Sequence, residues 1–299
     1  MKYKQLFLGQ NDNPIVAGVP DNFSRYFDWI TLPLNSNVLN IYKNSEVPKT
    51  VYLKTDFLPA FVNSVLPKIE NEFILITCCS DYSPEVNFNV QYRILMNHPK
   101  LKFWFMANMR NKNEKSFSLP VGLSSYNFGG KPNCYDPLDV EEVENYLLKI
   151  RNNQTPKIDK VFCSFRKNRY RNDCGQDMVI RPAIMDIVSK NPEIFDIFEP
   201  DSLPFYKFVE TLSQYKYALC PHGNGMDPSP TCWISLIVNT IPVIYKTPNV
   251  MDMFEGTDSV IYFDKFEQIA NKNLYSEKKP IDFEFLTCEY WAKKIKSKI

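Results

Sequence analysis

The chain has only two histidines, His98 and His222, in 299 residues. Neither has a ligand-spaced neighbour, and none of the eight cysteines forms a C-x-x-C pair, so no zinc centre is expected. Cys78, Cys79, Cys163 and Cys220 lie inside apolar runs, as buried thiols do. The opening MKYKQLFLGQNDNPIVAGVP has no long apolar run, so neither a signal peptide nor an anchor is expected, and with them a disulfide framework drops out. No segment approaches the roughly 20 apolar residues of a membrane span. A soluble, cytoplasmic protein is the expectation. Charge of one sign is also missing: Lys plus Arg is 35 and Asp plus Glu 34. A general nucleic-acid binder would carry a basic field, so no nucleic-acid partner is expected and any anion site must be local. Internal repeats and low-complexity tracts are absent.

What remains is ordinary globular material, 44% hydrophobic and 23% charged, which argues against disorder. The length exceeds what one core usually serves and predicts two domains of roughly 150 residues. Short apolar runs alternate with helical patterns, the rhythm of α/β architecture. Strands are predicted at residues 15–19, 38–42, 50–53, 73–77, 102–106 and 118–121 in the first half. In the second they fall at 160–165, 195–198, 217–220, 242–245 and 259–263. Helices are predicted at 56–69, with Asp56 as N-cap, and at 87–97, 140–150, 178–189, 204–215, 231–238, 266–273 and 283–298. The run from Arg151 to Pro156 has linker composition and places a boundary near residue 155. The expected fold is two Rossmann-like lobes, 1–155 and 156–299, facing a central cleft, with ligands beyond the carboxyl ends of the strands.

The segment ALCPHGNGMDPSPTCW, 218–233, stands at such a strand end. Gly223 and Gly225, flanking Asn224 after His222, would let the backbone turn with positive φ and let a ligand approach closely. Asp227, Ser229 and Thr231 are competent N-caps for the next helix, and Pro230 suits its first position. Free N–H groups there favour an anion. Strand, glycine loop and helix start together suit a phosphate, a nucleotide or a cluster of sugar hydroxyls; a tight turn with no ligand is the alternative.

Three more strand ends carry chemistry. FCSFRKNRYRNDCGQDMVIR, 162–181, concentrates Arg166, Lys167, Arg169, Arg171 and Arg181, and arginine binds phosphate in bidentate fashion. A solvated surface loop is the competing account. Lys246 follows the Ile-Pro-Val-Ile-Tyr strand. In the first half Asp81 follows FILITCCS, where a carboxylate facing a cleft could act as general base or merely cap a turn.

With these residues in view, the second half resembles the exostosin-like glycosyltransferases, particularly the compact soluble forms of large DNA viruses and bacteria. The likeness rests on Cys220-Pro-His-Gly-Asn-Gly-Met-Asp227, Trp233, Ile241-Pro-Val-Ile-Tyr-Lys246, Val260-Ile-Tyr-Phe263 and Leu286-Thr-Cys-Glu-Tyr-Trp-Ala-Lys-Lys-Ile295. It covers about 158–297. In the first half the pieces around Asp81, 103–108 and 119–122 look like the acceptor-side lobe of the same group. The resemblance implies a GT-B transferase. It would move a sugar from a nucleotide-sugar donor to an acceptor hydroxyl on a glycan or glycoconjugate, with inversion and with neither metal nor other cofactor. Asp81 would be the base, and Arg166, Arg169, Arg171, Arg181, His222, Gly223, Asn224, Gly225, Asp227, Ser229, Thr231 and Lys246 would serve the donor. The family's His-Arg after the Asp is replaced by Ser229-Pro230, and its ribose-contacting Glu by Ile234. A catalytically degenerate nucleotide- or carbohydrate-binding protein of the same fold is therefore the second reading.

Overall fold

The computed structural model describes residues 8–9, 23–33, 39–124, 140–153, 156–168, 180–200 and 202–299. It is a mixed α/β structure with two parallel-sheet bodies. Strand β1 (Leu8–Gly9) pairs in parallel with β8 (Leu123–Ser124). The first large sheet holds β2 (Trp29–Pro33), β3 (Leu39–Lys43), β4 (Thr50–Lys54), β5 (Phe73–Cys78), β6 (Leu101–Met106) and β7 (Ser116–Ser118). Its order is β3-β2-β4-β5-β6-β7, and only the β2–β3 pair at one edge is antiparallel. The second sheet is wholly parallel. It comprises β9 (Ile158–Cys163), β10 (Phe195–Ile197), β11 (Tyr215–Leu219), β12 (Ile241–Tyr245) and β13 (Ile261–Phe263), in the order β10-β9-β11-β12-β13.

The largely apolar run of β5 is buried at all six positions, as a strand covered on both faces must be. Several helices end sooner than their periodicity predicts. The 56–69 pattern splits into a 3-10 turn at Thr55–Phe57, a helix at Leu58–Ser64 and a second 3-10 turn at Leu66–Lys68. Pro67 supplies no N–H and disfavours helical geometry at Leu66, so the α-helix stops before it. Asp56 lies inside the first turn, and neither it nor Phe57, at the N-cap position, caps the helix with its side chain. The 266–273 pattern is two 3-10 turns, Phe266–Ala270 and Lys272–Leu274. The terminal helix begins at Cys288, where the Thr287 hydroxyl accepts from Tyr290 N–H. The strand expected at 118–121 lies earlier, as β7, and the one at 15–19 falls outside the described residues.

The two sheets share packed material. One buried cluster joins Ile74, Ile76, Phe105 and Leu119 of the first half to Phe162, Ala218, Trp233 and Trp291 of the second. The helix Val140–Asn152, counted in sequence with the first domain, lies against second-half elements. Tyr146 Oη donates to Tyr206 O and Glu210 Oε1, both at 3.1 Å, and Arg151 reaches Leu236 O, Ile237 O and Ile281 O at 2.9–3.1 Å. Thus Arg151, read in sequence as the start of a linker, closes the carboxyl end of the buried helix Pro230–Ile237.

Candidate functional site

The loop after β11 is built from the backbone outward. His222 is 1% exposed; it forms a bridge with Pro228, and Gly223 N–H donates to Asp227 O at 3.3 Å. The loop is therefore a closed hairpin-like turn. Contrary to the sequence expectation, neither Gly223 nor Gly225 adopts a positive φ; Gly122 and Gly256 do so among the described glycines. The two loop glycines serve different ends. A Cβ at Gly223 would meet nothing within 4 Å, so this position borders open space. A Cβ at Gly225 would stand 2.6 Å from Asn108 Cγ and 2.8 Å from its Nδ2. The close approach that Gly225 permits is by Asn108, a side chain of the first sheet.

Asn108 follows β6 in left-handed geometry, φ 56°, and is 1% exposed. Asparagine tolerates that region better than most residues. Its Nδ2 donates to Ser80 O at 2.6 Å, and its Oδ1 accepts from Asp227 N–H at 2.9 Å. One carboxamide thus ties the end of β5 to the loop after β11. Sequence reasoning did not single it out; the available signal was an asparagine placed directly beyond the apolar run of β6.

Asp227 is 5% exposed. Its Oδ2 accepts from Val121 N–H at 2.9 Å and its Oδ1 from Trp233 Nε1–H at 3.2 Å. Burial pushes its pKa up to about 7, while the two donated hydrogen bonds pull the other way. A second aspartate repeats the arrangement. Asp252 Oδ2 accepts from Ser118 N–H at 2.6 Å, and its Oδ1 lies 2.5 Å from Lys112 Nζ. Two acids from the second half therefore hold the end of β7 and the segment that follows it.

Asp81 meets the same loop: Asn224 Nδ2 donates to Asp81 Oδ2 at 3.2 Å. Arg181 Nε donates to His222 O at 2.9 Å, and its Nη1 to Arg166 O at 3.2 Å. Its guanidinium joins the basic loop to the glycine loop through main-chain carbonyls. The side chains of Arg166 and Lys246 are exposed at the ends of β9 and β12. Ser229 is the N-cap residue of Pro230–Ile237 but makes no side-chain cap bond, and Thr231 is half-buried in its first turn. Ile234 is 3% exposed and belongs to the core. Arg169 and Arg171 lie outside the described residues. The structure thus brings together Asp81, Asn224, Gly225 and Asp227, with Arg181, Arg166 and His222 joined behind them. No helix among the described residues is long and apolar enough to cross a membrane.

No protein-family model matches the chain, and no curated protein sequence matches it. Among solved structures the chain is similar to the spinosyn rhamnosyltransferase SpnG complexed with thymidine diphosphate. The identity is 10% and the TM-score 0.37, over 84% of this chain and 69% of that one. A likeness so remote assigns no residue a role.

Proposed function

We propose that the chain is a glycosyltransferase moving a sugar from a nucleotide-sugar donor to a carbohydrate or glycoconjugate hydroxyl, worked by two lobes about a cleft. The observation that supports this reading is the meeting of Asp81 with Asn224, 143 positions apart. A carboxylate at one sheet's strand end stands against the glycine loop of the other, beside the open space at Gly223. Transfer needs such a junction, because acceptor oxygen and anomeric carbon must be held roughly 3–3.5 Å apart. Asp81 would take the acceptor's proton as its oxygen attacks. The bond to the nucleoside diphosphate would break on the opposite face, inverting the centre. Arg166 and Lys246 would offset the charge growing on the leaving phosphate. Arg181, with its guanidinium on two main-chain carbonyls, would position the donor loops. No metal or further cofactor enters this scheme.

A specific observation favours the second reading, a binding protein without turnover. Ile234 is core, and the Asp227 carboxylate accepts from Val121 and Trp233, so neither offers a donor contact of the kind the resemblance implies. The two readings separate in one experiment. The protein is incubated with a panel of nucleotide sugars and glycoside acceptors, and released nucleoside diphosphate is measured beside calorimetric nucleotide binding. The transferase reading expects release, lowered by roughly 10²–10⁴ in Asp81→Asn with nucleotide affinity unchanged. Nucleotide binding with no release for any donor establishes the second reading, and a fully active Asp81→Asn removes Asp81 as base.

A further inference from the structure

Successive side chains in a strand point to opposite faces, so neighbouring residues do not ordinarily meet. Cys78 and Cys79, at the end of β5, depart from that rule. Cys79 has φ 66°, a left-handed conformation that residues bearing a Cβ rarely adopt. The turn brings its Sγ to 3.7 Å from that of Cys78. Tyr52 Oη lies against both sulfurs, 2.8 Å from Cys79 Sγ and 3.2 Å from Cys78 Sγ. Both residues are thiols; Cys78 is fully buried and Cys79 is 5% exposed. Held conformations of this kind concentrate at functional sites and switch regions.

We propose that Cys78 and Cys79 form a vicinal dithiol modified by small hydroperoxides, which close it to a disulfide between adjacent residues. One sulfur, as thiolate, attacks a peroxide oxygen. The O–O bond breaks, an S–O bond forms, and hydroxide leaves and takes up the proton that the thiol gave up. The second sulfur then displaces the sulfenic oxygen, the S–S bond forms and water leaves. Two electrons pass from the sulfurs to hydrogen peroxide, which ends as two molecules of water. The sulfurs must close from 3.7 Å to a bond of about 2.05 Å. Neighbouring α-carbons are held about 3.8 Å apart by the trans peptide, less than the roughly 4.4 Å or more usual in disulfides. The bond is therefore strained, and thiol reductants reopen it readily.

Closing it turns Cys79, and the next two residues belong to the junction. Ser80 O is held by Asn108 Nδ2, and Asp81 meets Asn224. Oxidation thus re-aims Asp81 and loosens the Asn108 tie, whatever reaction the site performs.

The test uses the whole chain, treated with hydrogen peroxide under native conditions, alkylated and digested with trypsin. The fragment 69–93 holds Cys78 and Cys79 and no other cysteine. The expected fragment is lighter by two hydrogens, refuses alkylation, and regains both properties after a dithiol reductant. Hydrogen exchange at the amides of Tyr82 and Asp227, which donate to Ser80 Oγ and Asn108 Oδ1, is faster in the oxidised chain and slows again on reduction. A fragment that stays alkylatable, or that gains oxygen instead, overturns the dithiol. So does unchanged loss of two hydrogens from the intact chain in Cys79→Ser. A disulfide with unaltered exchange overturns the coupling to the junction.

Discussion

Replacing Gly225 with alanine sets a methyl group into the space of the Asn108 carboxamide, 2.6 Å from its Cγ. No real Cβ tolerates that distance to a planar group held on both sides. Either Asn108 withdraws or the 222–227 loop lifts. Withdrawal of Asn108 breaks the bonds to Ser80 O and from Asp227 N–H, and lifting of the loop breaks the second. Each is worth about 1 kcal/mol net, and leaving the buried Asp227 N–H without an acceptor adds about 1–3 kcal/mol. The expected loss of folding stability is roughly 2–5 kcal/mol, read by urea denaturation with tryptophan fluorescence. Trp233, hydrogen-bonded to Asp227, reports on the junction itself. The cause is isolated by a double-mutant cycle with Asn108→Gly, which removes the obstruction and suits the left-handed backbone at 108. In that background Gly225→Ala should cost under about 0.5 kcal/mol, the scatter of non-interacting pairs. Equal cost in both backgrounds, or a single variant as stable as the parent, refutes the account of Gly225 as space for Asn108.

Two further outcomes follow from buried charges. Asp227 binds its proton more tightly folded, near pH 7, than unfolded, near 3.9. Its contribution is complete below the unfolded value and is lost as pH rises through about 7, so wild-type stability should fall between pH 5 and 8 by on the order of 2–3 kcal/mol. Asp227→Asn should flatten that slope, to which Glu85, raised by burial, adds and which His98, lowered by burial, opposes; an unchanged slope in denaturation curves excludes Asp227 as its source. Arg151→Ala should destabilise by about 2–4 kcal/mol through loss of charged donors to Leu236 O, Ile237 O and Ile281 O. Arg151→Lys should recover only part of this, since one ammonium cannot span both sets of carbonyls; full recovery in the same denaturation assay denies the two-sided clasp.

The alternating strands and helices were legible because buried parallel strands read as largely apolar runs; β5, buried at all six positions, shows this directly. Strand β2 was missed. It ends in Pro33, a residue that argues against a central strand unless, as here, it stands at the strand end. At the site, glycine signalled a close approach correctly but not by what. The group that enters at Gly225 comes from position 108, and no local pattern reveals a partner so distant in sequence. The same holds for Asp227, whose residue type fits a cap or a ligand equally until Val121, 106 positions earlier, fixes it as an acceptor for backbone. Asp81 and Asn224 were both chosen from sequence, but only the tertiary structure makes them neighbours.

The hold of Asp252 on Ser118 and of Asp227 on Val121 also constrains how the chain is made. These amides leave the ribosome 134 and 106 residues before their acceptors. At synthesis rates of about 5–20 residues per second, they wait on the order of ten seconds. During that interval these two amides, at the end of β7 and just beyond it, have only water to bond. The amino-terminal half is thus born with an unfinished rim, and the chain completes it by waiting for its own later half.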